Sequence, residues 1–299
     1  MLARLADASG ALLATTAAAH GLFYGHPRSL GLAGGFASPL AQRLLGEADL
    51  VLAFGASLNR WTTHDGTLFP QALVVRVDIE GGDVRADSRA TAERLDVRGS
   101  SFDHVLPELA VYRRRDEIDD RSTADTIDPR TPMVALDDLL PEERGVSIDS
   151  GHFMGWPAMY LTIRRRDQFV MAQAFQSVGL GLATAIGASL ARRDRVTVAV
   201  LGDGGARMSL TELDTAARLG LPLLVVIVND AAYGAEVHDF APLGVDVQLA
   251  RGSAMSTSPQ SPARLGHTVR PYAASGISNG CGRGGPNSRS SSTARSRPR

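Results

Sequence analysis

Apolar positions along this chain fall into two kinds of stretch, and the two kinds alternate. Residues 49–55 and 72–78 are short, nearly continuous apolar runs, and Leu40, Leu44 and Leu45 before the first of them have helical spacing. A second series opens at Thr131, read as a helix cap with Pro132 at the first helical position, ahead of Met133, Leu136, Leu139 and Leu140. Strands are expected at 145–149, 196–201 and 223–228, with helices at 177–190 and 210–219 between them. The helix at 177–190 is rich in small residues, and Gly179, Gly181 and Gly187 would permit close backbone approach. Strands separated by helices predict an α/β fold of two domains, each a parallel sheet flanked by helices on both faces, a Rossmann-like arrangement.

The first domain spans 1–112 and the second 131–250. Between them, 113–130 has mixed charge and few apolar residues, as a solvated linker would. Beyond 250 the composition changes abruptly. No acidic residue follows Asp246, and Ser, Arg, Gly and Pro dominate. The segment 251–299 reads as a disordered basic tail or as out-of-frame translation of a GC-rich gene, with the second reading preferred. In that case the second domain is truncated.

Composition narrows the function without naming it. With 299 residues and 44% hydrophobic content the chain buries sizeable cores. A formal charge of −1 gives no electrostatic case for nucleic acid or an anionic membrane. Asp7, Ser9 and Gly10 interrupt any apolar leader near the start, and no apolar stretch is long enough to span a bilayer. The single Cys281 excludes an internal disulfide framework, so a cytoplasmic setting is expected.

The chemistry lies at the carboxyl ends of two predicted strands. The run 196–201 leads directly into Gly202-Asp203-Gly204-Gly205, where glycines would let the backbone turn sharply and offer N–H groups to an anion. A helix follows, with Ser209 and Glu212 spaced as a capping box, and Gly220 and Pro222 end it. The apolar strand 223–228 then delivers Asn229-Asp230. The crossover brings Asp203 and Asp230 together although they stand 27 positions apart. Two hard oxygen ligands, a loop carbonyl, diphosphate oxygens and water suit an octahedral Mg²⁺.

This pattern resembles the thiamine-diphosphate enzymes of the acetolactate synthase, pyruvate decarboxylase and benzoylformate decarboxylase group, over roughly residues 12–250. Their signature is Gly-Asp-Gly followed, slightly under thirty residues on, by Asn-Asn or Asn-Asp. The resemblance implies that Asp203, Asp230 and the carbonyl of Ala232 ligate magnesium. It also implies that Gly202, Gly204, Gly205, Asn229, Tyr233 and Gly234 serve the cofactor. Asp149-Ser150-Gly151-His152 matches the family's other diphosphate-side loop; Gly151 lies in it, and His152 is either a donor to that anion or an ordinary polar loop histidine. Gln176-Ser177-Val178-Gly179 matches the segment that bends the cofactor, with Val178 as apolar wedge and the Gln176 carbonyl as acceptor for the 4′-amino group. Glu236 stands where pyruvate decarboxylases carry a glutamate used in proton transfer, although a first-turn glutamate also suits the helix dipole.

The first domain resembles the family's central domain through Gly25-His26-Pro27-Arg28-Ser29-Leu30-Gly31 and Phe54-Gly55-Ala56-Ser57-Leu58-Asn59-Arg60. That domain binds FAD in acetolactate synthases. FAD is therefore an option here, but Gly34-Gly35 does not follow a strand as a dinucleotide fingerprint requires. The family's activating glutamate belongs to a pyrimidine-binding N-terminal domain, which is not visible in this sequence. The resemblance then implies a homodimer or a partner subunit supplying that domain, and a 2-oxo acid substrate decarboxylated or carboligated. The alternatives are a non-catalytic thiamine-diphosphate-binding module or an inactive gene fragment.

Overall fold

The computed structural model describes residues 1–79, 102–172 and 177–251. The expectations for Gln176 and for the tail 252–299 lie outside the described residues.

The first unit begins with α1 (Leu2–Ser9), which ends at Gly10 with φ 73°. Strands β1 (Leu13–Thr15) and β2 (Ser29–Leu32) pair in parallel. At three and four residues they are too short to show a periodicity in the sequence. Helix α2 (Pro39–Gly46) has Pro39 at its first position, and the Ser38 hydroxyl accepts the Ala41 N–H at 3.1 Å. Leu40, Ala41 and Leu44 form its buried face. Strands β3 (Leu50–Phe54) and β4 (Leu73–Val77) form a second parallel pair in continuous register from Leu50↔Leu73 to Phe54↔Val77. The expected apolar runs are therefore strands, but Phe54, Leu73 and Val77 remain exposed, so coverage of both faces is incomplete among the described residues. The short helix α3 (Leu106–Val111) follows.

The segment 113–130 is charged and also tied down. Arg114 donates to the Phe36 carbonyl at 2.6 Å, Arg115 pairs with Asp138, and the buried Asp128 carboxylate accepts from the Arg121 and Arg130 amides. With Asp128 serving those amides, helix α4 starts at Arg130 (Arg130–Leu139), one residue before the expected Thr131 cap. Pro132 still lies in the first turn, where its missing N–H costs nothing. Met133 and Leu136 are buried, whereas Leu139 is exposed.

The remaining elements are β5 (Arg144–Ile148), α5 (Gly155–Tyr160), β6 (Phe169–Met171), α6 (Gly181–Ala191), β7 (Val196–Gly202), α7 (Asp203–Ser209), α8 (Glu212–Arg218), β8 (Leu223–Val228) and α9 (Gly234–Phe240). The strands form one parallel sheet in the order β6-β5-β7-β8. Every residue of β5 is buried, Arg144 and Ser147 included, as is the interior of β7. One core lies around Val146, Ile148, Val198, Val200 and Met133, and Leu32 and Phe36 of the first unit pack into it. A second core, Leu182, Ala185, Ile186, Ala199, Leu201 and Ala216, covers the other face.

Three local expectations are corrected. Helix α6 begins at Gly181 rather than at 177, because Gly179 has φ +92°, which no helix accommodates. Gly187 faces open space and mediates no close approach. Ser209 and Glu212 do not form a capping box: Ser209 ends α7, with its hydroxyl donating to the Gly205 carbonyl at 3.0 Å.

The amino end of β5 is pinned by Arg144, which is 1% exposed. Its guanidinium meets Asp137 and the carbonyls of Pro141 and Thr162, while Asp137 accepts the Thr162 N–H and hydroxyl, both at 2.7 Å. Removing one partner strands the other's charge. Arg144→Ala is expected to lower unfolding free energy by about 3–5 kcal/mol in urea titrations, whereas a loss under about 1 kcal/mol would contradict this network.

Candidate functional site

Parallel strands in register end at one level. Ile148 of β5 pairs with Val200 of β7, and Gly202 of β7 with Val228 of β8. Whatever follows each strand therefore meets at the carboxyl edge of the sheet, where open α/β folds bind ligands. Residues 149–153 follow β5, residues 203–205 follow β7, and residues 229–236 follow β8 into α9.

A single concave pocket collects almost all of the residues singled out from the sequence. Gly151 and His152 line it from the first loop, Gly202, Asp203, Gly204 and Gly205 from the second, and Asp230, Ala232, Tyr233, Gly234 and Glu236 from the third. Val178, just before α6, closes one side. Asn229 is the exception: its carboxamide turns back to accept the Ala231 N–H at 3.0 Å, so it shapes the loop instead of lining the pocket. Ala231 itself has φ +59°, an uncommon conformation for a residue with a side chain.

The glycines act differently from the expectation. Gly202 has φ −77°, neither Gly204 nor Gly205 has positive φ, and Asp203 is already the first residue of α7. No sharp turn needs them; they are required because there is no room. A Cβ on Gly204 would lie 2.6 Å from the Tyr233 ring, and one on Gly205 would collide with Asp149 Oδ2. A Cβ on Gly234 would collide with Asp230 Oδ2. One on Gly202 would lie 2.9 Å from the Phe153 ring. Phe153 carries no periodic signal in the sequence, where it follows the polar residues 149–152, yet its ring is buried beside them.

Asp203 is 1% exposed, and its Oδ2 has no hydrogen-bond partner among the described residues. Burial first, and then the negative charge of Asp230, raise its pKa above the ordinary carboxylate range. Asp230 is exposed and accepts the Ala232 N–H at 3.2 Å. Among the described residues no third acidic, imidazole or thiol group joins them as a metal cluster. His152 stacks on His238 with ring centroids 4.2 Å apart; burial first, and then His238, lower its pKa. It therefore stands neutral near pH 7, a hydrogen-bonding group without fixed charge.

A lone buried carboxylate oxygen costs stability whenever it is ionised. The Asp203 pKa is raised on folding, so the folded state binds more protons than the unfolded one above the ordinary carboxylate pKa, and stability falls as pH rises through that window. In chelator-containing buffer at pH 7, Asp203→Asn is expected to be more stable than the wild type by about 1–3 kcal/mol. In urea titrations the advantage should shrink as the pH is lowered toward 4; an advantage that is absent, or that grows on acidification, would refute this account.

Comparison with known proteins finds two domain models of one family in this chain. Residues 1–97 match the family model described as "Thiamine pyrophosphate enzyme, central domain", and residues 149–279 match "Thiamine pyrophosphate enzyme, C-terminal TPP binding domain". The catabolic acetolactate synthase of Raoultella terrigena is 31% identical over 223 residues, 69% of this chain and 40% of that protein. The large subunit of acetolactate synthase isozyme 2 from Escherichia coli is 28% identical over 219 residues, 70% of this chain and 40% of that protein. The sulfoacetaldehyde acetyltransferase of Castellaniella defragrans is 26% identical over 252 residues, 71% and 42% of the two chains. The chain thus spans about two fifths of the length of these relatives. With the central and C-terminal domain matches in family order, and with the Gly-Asp-Gly and Asn-Asp loops facing one another across the same pocket, this chain belongs to the thiamine-diphosphate-dependent enzymes.

Proposed function

We propose that this chain holds the metal and the diphosphate of thiamine diphosphate in an acetolactate-synthase-like enzyme acting on 2-oxo acids. The observation that carries the reading is Asp203: a buried carboxylate with an oxygen that has no partner among the described residues, lining a pocket that a second carboxylate also lines. Such a pair fits a hard divalent cation, which relieves the charge that the fold otherwise penalises. Mg²⁺ characteristically takes few protein ligands and completes its shell with substrate phosphates and water, consistent with a pair of aspartates and no larger metal-holding cluster among the described residues.

In this reading the Asp203 and Asp230 carboxylates and the Ala232 carbonyl hold the magnesium ion. Backbone groups of Gly151, Gly202, Gly204, Gly205, Tyr233 and Gly234 hold the diphosphate. Their lack of side chains, or their close packing, lets backbone approach an anion directly. The neutral His152 adds a hydrogen bond, and Asn229 holds the loop that carries Asp230. Val178, which lines the pocket, supports the cofactor, with Gln176 two residues before it in sequence. When bound, thiamine diphosphate supplies a thiazolium that accepts the electrons released as a 2-oxo acid loses carbon dioxide. Glu236, on the first turn of α9 and facing the pocket, moves a proton during turnover.

Calorimetric titration with thiamine diphosphate and Mg²⁺ tests the site. Binding is expected to require Mg²⁺ and to weaken at least about tenfold in Asp203→Ala, equal to about 1.4 kcal/mol. Magnesium-independent binding, or an unaffected variant, would overturn the assignment. In parallel, Glu236→Gln is expected to keep cofactor affinity within about twofold while lowering carbon dioxide release from pyruvate by about 10²-fold. Turnover by the wild type would support the enzyme, and binding without turnover would favour a non-catalytic module.

A further inference from the structure

Asp149 is completely buried, yet among the described residues it has no cationic partner. Its carboxylate accepts the Gly179 N–H at 2.9 and 3.2 Å on its two oxygens, and the Gly181 N–H at 3.0 Å. Its own N–H donates to the Val200 carbonyl at 3.0 Å, which anchors the residue to β7. Oδ2 presses against Gly205 so closely that a methyl group there would collide with it, and its Cβ similarly abuts Gly181. One side chain therefore touches all three pieces that form this side of the pocket: the end of β5, the turn bearing Val178, and the first turn of α7.

A carboxylate next to a site for a diphosphate repels the ligand, so Asp149 does not help by attraction. Nor is a neutral isostere equivalent. In either orientation the amide nitrogen of an asparagine would meet the Gly179 N–H, donor against donor, and in one of the two it would meet the Gly181 N–H as well. Gly179, with φ +92°, has no intrinsic preference that would hold Val178 where it lies; the carboxylate does. Val178 Cγ1 in turn would lie 3.3 Å from a Cβ on Gly205, so a shift of this turn carries Val178 away from the diphosphate-facing glycines.

We propose that Asp149 is a positioning residue, a carboxylate staple that fixes Val178 and the turn before α6 against Gly205 at the separation the cofactor needs. The inference rests on the cofactor-site reading above. The test compares wild type, Asp149→Asn and Leu136→Ala, the last destabilising a core helix away from the pocket. All three are titrated calorimetrically with thiamine diphosphate and Mg²⁺ at a temperature where circular dichroism shows each to be folded. Asp149→Asn is expected to bind about 10–100-fold more weakly, with Leu136→Ala close to wild type. If both variants weaken binding in proportion to their lost stability, or if Asp149→Asn binds like wild type, Asp149 is structural only and the inference falls. A folded wild type that binds nothing removes the cofactor-site reading itself, and the staple with it. Should Asp149→Asn fail to fold, amide exchange in the wild type decides. Gly179 and Gly181 amides protected before ligand is added, and more so with thiamine diphosphate and Mg²⁺, support the staple. Free exchange, or protection unchanged by ligand, overturns it.

Discussion

Two carboxylates, Asp149 and Asp203, are buried at the carboxyl ends of adjacent parallel strands, and the local architecture is organised around accommodating them. Neither has a guanidinium to neutralise it among the described residues, and burial raises both pKa values. Their solutions differ. Asp149 is satisfied internally by backbone N–H groups, whereas one oxygen of Asp203, a residue that lines the pocket, has no partner among the described residues. A fold tolerates a buried unpaired oxygen where something outside the chain completes it. In this structure the same oxygen is both the local cost to stability and the reason to expect a cation.

The surrounding glycines follow from the same constraint. Carboxylates, aromatic rings and helix backbone are packed into one edge of the sheet, and Gly202, Gly204, Gly205 and Gly234 stand where any side chain would strike Phe153, Tyr233, Asp149 or Asp230. Tight contact of this kind transmits position. The Asp149 side chain is within reach of both the turn carrying Val178 and the helix opened by Asp203, which couples the two walls of the pocket.

The first unit contributes from behind. Leu32 and Phe36 pack into the core beneath β5 and β7, and Arg114 binds the Phe36 carbonyl while lying over the Tyr160 ring. In this unit Gly34 and Gly35 lie against the Trp61 carbonyl, with the Gly35 N–H donating to it at 3.0 Å. Their role is a close approach within the chain.

The sequence by itself determined the α/β class, the strands at 50–54, 73–77, 196–202 and 223–228, and the loops that meet at the pocket. These were legible because strands of a parallel sheet carry nearly continuous apolar runs, and because a βαβ crossover returns the chain to the same sheet edge. Only the tertiary structure decided the rest. Asp149 is one polar residue in a polar loop until the fold buries it against three glycines from elsewhere in the chain. Ser209 looks like a cap until α7 is seen to end there, and Asn229 looks like a pocket residue until its amide bonds back to Ala231. Local patterns report local periodicity and strand ends. Which polar atoms are satisfied, and by what, depends on neighbours distant in sequence, and those neighbours exist only in the folded chain.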